Sequence, residues 1–244
     1  MGIMVNRLLA RYKKELFAPG LVGMFINPFF FIRRGLFRAI KKYGINMNGR
    51  LLDFGCGSMP YKNLFNVQSY FGVDVFNESH SHEKEPVSVF YDGDNLPFKD
   101  GTFDSVFSSE VFEHVFELDN ILDELGRVLK PNGTALFTVP FVWDEHEIPH
   151  DFGRYTSFGI RYLLEKHGFK VVASEKSTKF LETVFQLWNL YIYYRLYTRY
   201  KYVNIVINCI FIAPFTVTGI LLSKLLPNKE TLYNNNVILV TKPS

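Results

Sequence analysis

Hydrophobic positions fall into short runs separated by polar turns through most of the chain. Arg50–Phe54, Tyr70–Val75, Val87–Phe90, Phe103–Ser108, Thr134–Val139, Phe169–Ser174 and Val237–Thr241 are apolar, β-rich and of strand length. Glu117–Lys130 has another period. Leu118, Ile121, Leu122, Leu125, Val128 and Leu129 recur at three and four residues and line one helical face. Lys130-Pro131-Asn132-Gly133 stops that helix and turns the chain. Thr156 is placed to cap a helix running to His167, which Gly168 ends. Strands alternating with helices predict an α/β fold with a mostly parallel sheet covered on both faces.

Two flanking segments do not fit this alternation. Residues 1–47 form a basic, aromatic leader, with a helix predicted from Asn27-Pro28 to Tyr43 and stopped by Gly44. Its Phe30, Phe31, Phe37 and Ile40 lie among Arg33, Arg34, Arg38, Lys41 and Lys42, so it reads either as a helix packed over a sheet edge or as a basic amphipathic surface. Residues 178–235 form an apolar, aromatic insertion between the sixth and seventh strands. Val184–Tyr200 is dense in Tyr and holds Trp188, and Tyr202–Ser223 carries no charged residue. That length would span a bilayer, but a single crossing would carry Val237–Thr241 away from the sheet it should join. A helical hairpin is therefore predicted. Its open readings are peripheral membrane contact or lipid-linked acceptor binding through 184–226, a soluble lid or dimer surface, and insertion as a hairpin. The predicted layout is leader 1–47, α/β domain 48–177 plus 236–244, and insertion 178–235.

Composition narrows the classes. In 244 residues, 48% are hydrophobic and 17% aromatic, which argues against a mainly disordered chain. A formal net charge of +3 gives no global field for nucleic acid. Cys56 and Cys209 make no disulfide or metal framework, which fits a reduced, cytoplasmic setting. The N-terminus has no clean apolar run with a cleavage site, and Asn6 stands where a myristoylation pattern wants Ser or Thr.

The first candidate chemistry lies in LLDFGCGS, Leu51–Ser58. It sets Asp53, Gly55 and Gly57 at the carboxyl end of the first strand, the edge where open α/β sheets bind ligands. Pro60 occupies the third glycine position of a dinucleotide fingerprint, and the Gly-Lys-Ser/Thr ending of a P-loop is absent. Acids follow instead. Asp74 ends the second strand, where a carboxylate can accept ribose hydroxyls, and Asp92 and Asp94 follow the third. Each acid alone can also be read as a turn or cap residue. Together, at three strand ends, they suit a cationic cofactor without phosphate.

LLDFGCGS, GVDV, DGDNLPFKDGTFD and ELGRVLKPNG, in that order, resemble the motifs of class I S-adenosylmethionine-dependent methyltransferases of the type 11 kind. The resemblance covers residues 48–177 and the last strand. It implies a Rossmann-like seven-stranded sheet with its last strand antiparallel, inserted between strands five and six. It implies S-adenosylmethionine as cofactor. Asp53, Gly55, Cys56 and Gly57 would line its methionine part, and Asp74 with Val75 the ribose. Asp92 with Gly93 would reach the adenine, and Ser109 and Glu110 would close over it. His114 matches a His common in the family, and the favoured reading of it is a helix-packing residue with a satisfied ring. Met59 departs from the family's frequent third glycine.

The second candidate lies in VPFVWDEHEIPHDFGRYT, Val139–Thr156, above the strand ends. It collects His146, His150, Asp151 and Arg154. PHDFGRYT is similar to a segment of methyltransferases associated with bacterial surface polysaccharide and glycolipid synthesis. A structural lid with Arg154 paired to Asp151, and an acceptor site with His150 or His146 as general base, are both open readings. No metal is expected. Pro149 interrupts any helix that would align His146 with His150. Glu110-x-x-Glu113-His114 fails as an inverted zinc-protease motif because its first ligand would be Glu. The expected activity is methyl transfer to a sugar- or lipid-linked small acceptor, on oxygen, in the cytoplasm or at the inner face of the membrane. The rival is a non-catalytic membrane-associated scaffold that keeps the fold.

Overall fold

The computed structural model describes residues 12–75 and 87–244. The N-terminal targeting reading at Met1–Asn6 lies outside the described residues. Seven strands form one sheet: β1 (Arg50–Phe54), β2 (Ser69–Val75), β3 (Val89–Tyr91), β4 (Phe103–Ser109), β5 (Leu129–Pro140), β6 (Lys170–Lys176) and β7 (Asn235–Thr241). Their order is β3-β2-β1-β4-β5-β7-β6. The β3-β2-β1-β4-β5 stretch is parallel, and the late strands bring in the antiparallel direction, as expected. The order reverses at β1, so the ends of β1 and β4 flank the switch point where such sheets bind ligands.

Helix α1 spans Phe30–Tyr43, α2 Leu118–Val128 and α3 Ser157–Lys166. Helix α2 buries Leu118, Ile121, Leu122, Leu125 and Val128, the face its periodicity predicted. Its Arg127 and Glu124 fasten the β3–β4 loop. Arg127 donates to the carbonyls of Leu96 and Phe98 and to Asp100, while Glu124 accepts the Leu96 N–H. Thr156 caps α3 by accepting the Gly159 N–H at 3.1 Å. Helix α2 ends at Val128, before the stop expected at Lys130–Gly133, because Leu129 is already extended and opens β5, which continues through those residues. Phe103 pairs with Leu129 and Ser105 with Thr134, so residues 130–133 bulge out opposite Asp104. Asn132 takes a left-handed φ of +60° to allow this, and its N–H reaches the Lys242 carbonyl.

The chain divides into two compact units. Of the described residues, one holds those of 39–175 and 236–244, and the other 12–38 and 176–235. The first is the sheet with α2 and α3. Its core joins Leu52, Phe54 and Val73 of β1 and β2 to the α2 face, Phe137, Val139, Ile160, Leu164 and Val240.

Among its described residues the second unit contains a short helical turn at Gly23–Ile26, the start of α1, and the longer stretches α4 (Phe180–Leu196), α5 (Lys201–Ile207) and α6 (Ala213–Leu225). A π-helical segment, Asn208–Ile212, joins α5 to α6. These form the expected hairpin. Asn189 of α4 donates to Thr216 of α6 at 2.9 Å, and Trp188 packs on Phe215. Gln186 secures the start of α1. Its side-chain oxygen accepts the N–H groups of Phe31 and Ile32, and its amide donates to the Pro28 carbonyl. Those helix-end donors would otherwise be buried without partners. Asn234 and Asn235 are fully buried and bond Thr178 and Ser177.

Candidate functional site

The glycine loop after β1 leaves the sheet through left-handed backbone, with φ of +68° at Gly55 and +43° at Gly57. A side chain at Gly55 would collide with Val111, whereas nothing lies within 4 Å of where a Gly57 Cβ would stand. Gly57 therefore faces open space, the condition for close approach of a ligand to backbone. Met59 takes φ +51°, the conformation a glycine would adopt freely, and its side chain is buried. Cys56 is buried too, and Gly72 is bare beneath both, since a Cβ there would strike the Met59 and Cys56 side chains. The expectation that Cys56 lines a cofactor thus rests on its backbone, not its thiol.

Asp53 is 3% exposed and accepts the Tyr70 hydroxyl at 2.5 Å. Burial pushes its carboxyl up to about 7; the Tyr70 hydrogen bond opposes this, and the charge of Asp74 adds to it. Asp74 accepts the Gly57 N–H at 2.8 Å and the Val75 N–H at 2.9 Å, so one carboxylate ties β2 to the glycine loop. Asp92 accepts the N–H groups of Asn95 and Asp94, an Asx turn that holds its carboxyl below the usual range. Gly93 beside it has φ +99° and open space before its Cα.

Ser109 ends β4 and Glu110 follows it. Glu110 takes φ +58°, its N–H donates to the Thr138 carbonyl, and the Thr138 hydroxyl donates to its carboxylate at 2.7 Å. Ser109 shares a hydrogen bond with the same Thr138 hydroxyl. Strained backbone of this kind, at Met59 and Glu110 on adjacent strand ends, persists only where surroundings enforce it.

Of the acceptor-side candidates, Asp151 is an anchor. Its side chain is 3% exposed, and it receives two hydrogen bonds from Arg154 at 2.5 and 2.6 Å and the His146 N–H at 2.9 Å. Burial pushes its carboxyl up, but the Arg154 and His146 bonds outweigh that and bring it to about 2. His150 is exposed, and its carbonyl meets His114 Nδ1 at 2.6 Å. His146 stands against His114, with ring centroids 4.7 Å apart.

Sequence reasoning missed two participants. Tyr70 carries no motif signal. Glu113 is fully buried, its main-chain carbonyl accepts the N–H groups of Phe152 and Gly153, and both side-chain oxygens lack a hydrogen-bond partner. Burial, and after it the charge of Glu110, holds the Glu113 carboxyl well above its usual range. Its signal in the sequence is its place in Glu110-x-x-Glu113-His114, a carboxylate directly before a histidine.

Residues 52–137 match a family described as a methyltransferase domain. The chain is 41% identical over 123 residues to a glycine/sarcosine/dimethylglycine N-methyltransferase of Actinopolyspora halophila, covering 44% of this chain and 21% of that protein. It is 35% identical over 106 residues to the human mitochondrial arginine-hydroxylase NDUFAF5, covering 40% and 31%. It thus spans under a third of either relative. In structure it is similar to a Haemonchus contortus phosphoethanolamine N-methyltransferase solved with S-adenosyl-L-methionine, at TM-score 0.52 and 18% identity, over 95% of this chain and 59% of that one.

Proposed function

We propose that this chain, which carries a class I S-adenosylmethionine-dependent methyltransferase domain, methylates a hydroxyl of a sugar- or lipid-linked small acceptor. The observation that carries the cofactor side is the open face of Gly57 between the acids that end β1 and β2. That cradle fits the cofactor: backbone is bare where a ligand must approach, and the Asp74 carboxylate beside it brings negative charge, which favours a sulfonium. When bound, the cofactor supplies an electrophilic methyl with a good leaving group. The protein's task is then alignment and exclusion of water. Asp74 fixes the glycine loop and receives the ribose, the Asp92 turn with Gly93 receives the adenine, and Ser109 and Glu110 form the wall toward β5.

On the acceptor side, His150 takes the hydroxyl proton. Support comes from its exposed position on the loop after β5, while Asp151 is committed to Arg154 and His146. The lipid-linked class is supported by the second unit. Trp188, Tyr191 and Tyr194 of α4 and Val206, Ile210, Leu221 and Leu225 of the following helices are all over 40% exposed, beside Arg195, Arg199 and Lys201. Helix Lys201–Leu225 is apolar enough to cross a membrane, with 28% of its apolar window buried. An exposed apolar face with aromatic and basic neighbours suits a lipid interface.

Two measurements test the reading. Millimolar S-adenosylmethionine should raise the melting temperature by mass action, and Asp74→Ala should abolish that shift. His150→Ala should lower turnover on lipid and glycan extracts, scored by transfer of labelled methyl, with the melting shift retained. Absence of any shift would return the scaffold reading.

A further inference from the structure

We propose that Glu113, His114 and His146 form a binding site for one divalent transition-metal cation, beside the carboxyl ends of β4 and β5. Their ligand atoms all lie within 4.8 Å of one another. This departs from the expectation of no metal, and joins residues whose separation in sequence hid them.

Three observations on different atoms point to a cation. The first is Glu113. Its carboxylate is wholly buried and neither oxygen has a hydrogen-bond partner. A buried carboxylate in that state is costly unless a charge of opposite sign compensates it. Arg154 faces it only at longer range, because Asp151 holds its Nη groups. The second is His114. Its Nδ1 lies 2.6 Å from the His150 carbonyl, which can only accept, so Nδ1 carries the proton and Nε2 is left with its lone pair. That Nε2 sits 3.9 Å from Glu113 Oε1 and 3.9 Å from Glu147 Oε2. The third is His146. Its Nδ1 lies 3.2 Å from the buried carboxylate of Asp151 and 3.3 Å from the Asp144 carbonyl, both acceptors. Its Nε2 is likewise the nitrogen left to ligate.

Histidine ligands of metals are typically oriented in this way, with the second ring nitrogen donating to a carbonyl or a carboxylate. Here both arrangements occur in one site. The donor set of one carboxylate and two imidazoles suits Zn²⁺ or a neighbouring first-row cation, and disfavours Ca²⁺ or Mg²⁺. Ligand bonds of about 2.1 Å in a tetrahedral site put the donor atoms about 3.4 Å apart, so cation binding must draw in donors that now stand 3.9 Å apart at His114 and Glu113 and up to 4.8 Å apart across the set. Glu147 can supply a fourth donor, and its side chain is 54% exposed, so this position exchanges readily with solvent or a ligand oxygen.

Cation binding stands without the methyl-transfer reading. What rests on that reading is the site's use: an exchangeable position beside the acceptor loop would hold an oxygen-bearing acceptor in place. The test uses the full chain, stripped with a chelator and titrated with Co²⁺ and then Zn²⁺. The expected result is one equivalent bound, a visible cobalt absorption band, and displacement of cobalt by zinc. Outer partners of metal ligands alone are worth about 10–100-fold in affinity, so Glu113→Gln, His114→Ala and His146→Ala should each weaken binding by more than about 100-fold. Glu113→Gln is nearly isosteric and keeps the main-chain carbonyl that holds Phe152 and Gly153, so the comparison survives even if a histidine variant misfolds. Asp74→Ala separates the two readings, since it should lose cofactor binding and keep the cation. No binding at millimolar cobalt, or binding unchanged in Glu113→Gln, overturns the proposal.

Discussion

Replacing Asp53 by Asn tests whether the glycine loop is built on a carboxyl that resists ionisation. Asp53 is buried and hydrogen-bonded by Tyr70, and its pKa rises from an ordinary 3.8 to about 7 on folding. A rise of that size corresponds to about 4 kcal/mol of stability lost once the group is ionised. The sign follows from proton counting. Between pH of about 4 and 7 the folded carboxyl holds its proton while the unfolded one has lost it, so folding takes up a proton and stability falls as pH rises. Below that window the cost is absent, and above it the cost is complete. Asparagine keeps an acceptor for the Tyr70 hydroxyl and has no proton to lose. Urea unfolding of both chains across this range isolates the effect, because every other carboxylate titrates in both. Asp53→Asn should match the parent near pH of about 4 and exceed it by up to about 4 kcal/mol above pH of about 7. A difference that stays constant across the range would refute the burial argument.

Asp151→Asn should destabilise the chain by about 3 kcal/mol at neutral pH, because it leaves the Arg154 guanidinium without its charge partner. Since the folded Asp151 carboxyl is lowered to about 2, the parent should keep this contribution above pH of about 4 and lose it as pH falls toward 2, read by the same unfolding series. Met59→Gly removes a left-handed strain of about 1–2 kcal/mol but also a buried side chain worth about 2–5, so thermal unfolding should show net loss. Gly219→Ala should cost about 1–3 kcal/mol, because its Cβ would stand 2.8 Å from the rings of Phe185 and Phe31.

The strands were readable because a buried strand needs little more than a short apolar run, and α2 because five buried side chains share one face. Asp53 and Asp74 fall near one edge of the sheet for the same reason: once the order of strands is known, the carboxyl ends of the parallel β1 and β2 share that edge. What was not readable depends on distant backbone. Glu113 looks like a surface residue of a short polar turn, yet it is sealed where the N–H groups of Phe152 and Gly153, about 40 residues on, dock onto its carbonyl. Gln186 caps a helix 155 residues earlier in the chain, and nothing near it in sequence signals that duty. Tyr233–Asn236 carries three consecutive asparagines, yet Ser177 and Thr178 bury two of them by satisfying their side chains. Carbon patterning is local, whereas polar satisfaction is settled only by tertiary contact.

The loop after β5 shows how this bears on function. Its length and polarity resemble those of a mobile lid, yet it is tied at four points. Glu113 accepts from Phe152 and Gly153, Arg154 closes on Asp151, the Tyr155 N–H reaches the Pro140 carbonyl, and Asn236 of β7 donates to the Tyr155 carbonyl at 2.7 Å. His114 adds a fifth tie, to the His150 carbonyl. A segment so fastened places its side chains by design of the fold rather than by chance sampling. His150 and Glu147 are then held outward because the backbone under them is fixed, and Glu147 keeps a left-handed φ of +53° to do so. Substitutions that cut a tie should therefore disturb acceptor chemistry and cation binding together, while leaving the β1–β2 rim to bind cofactor unaided.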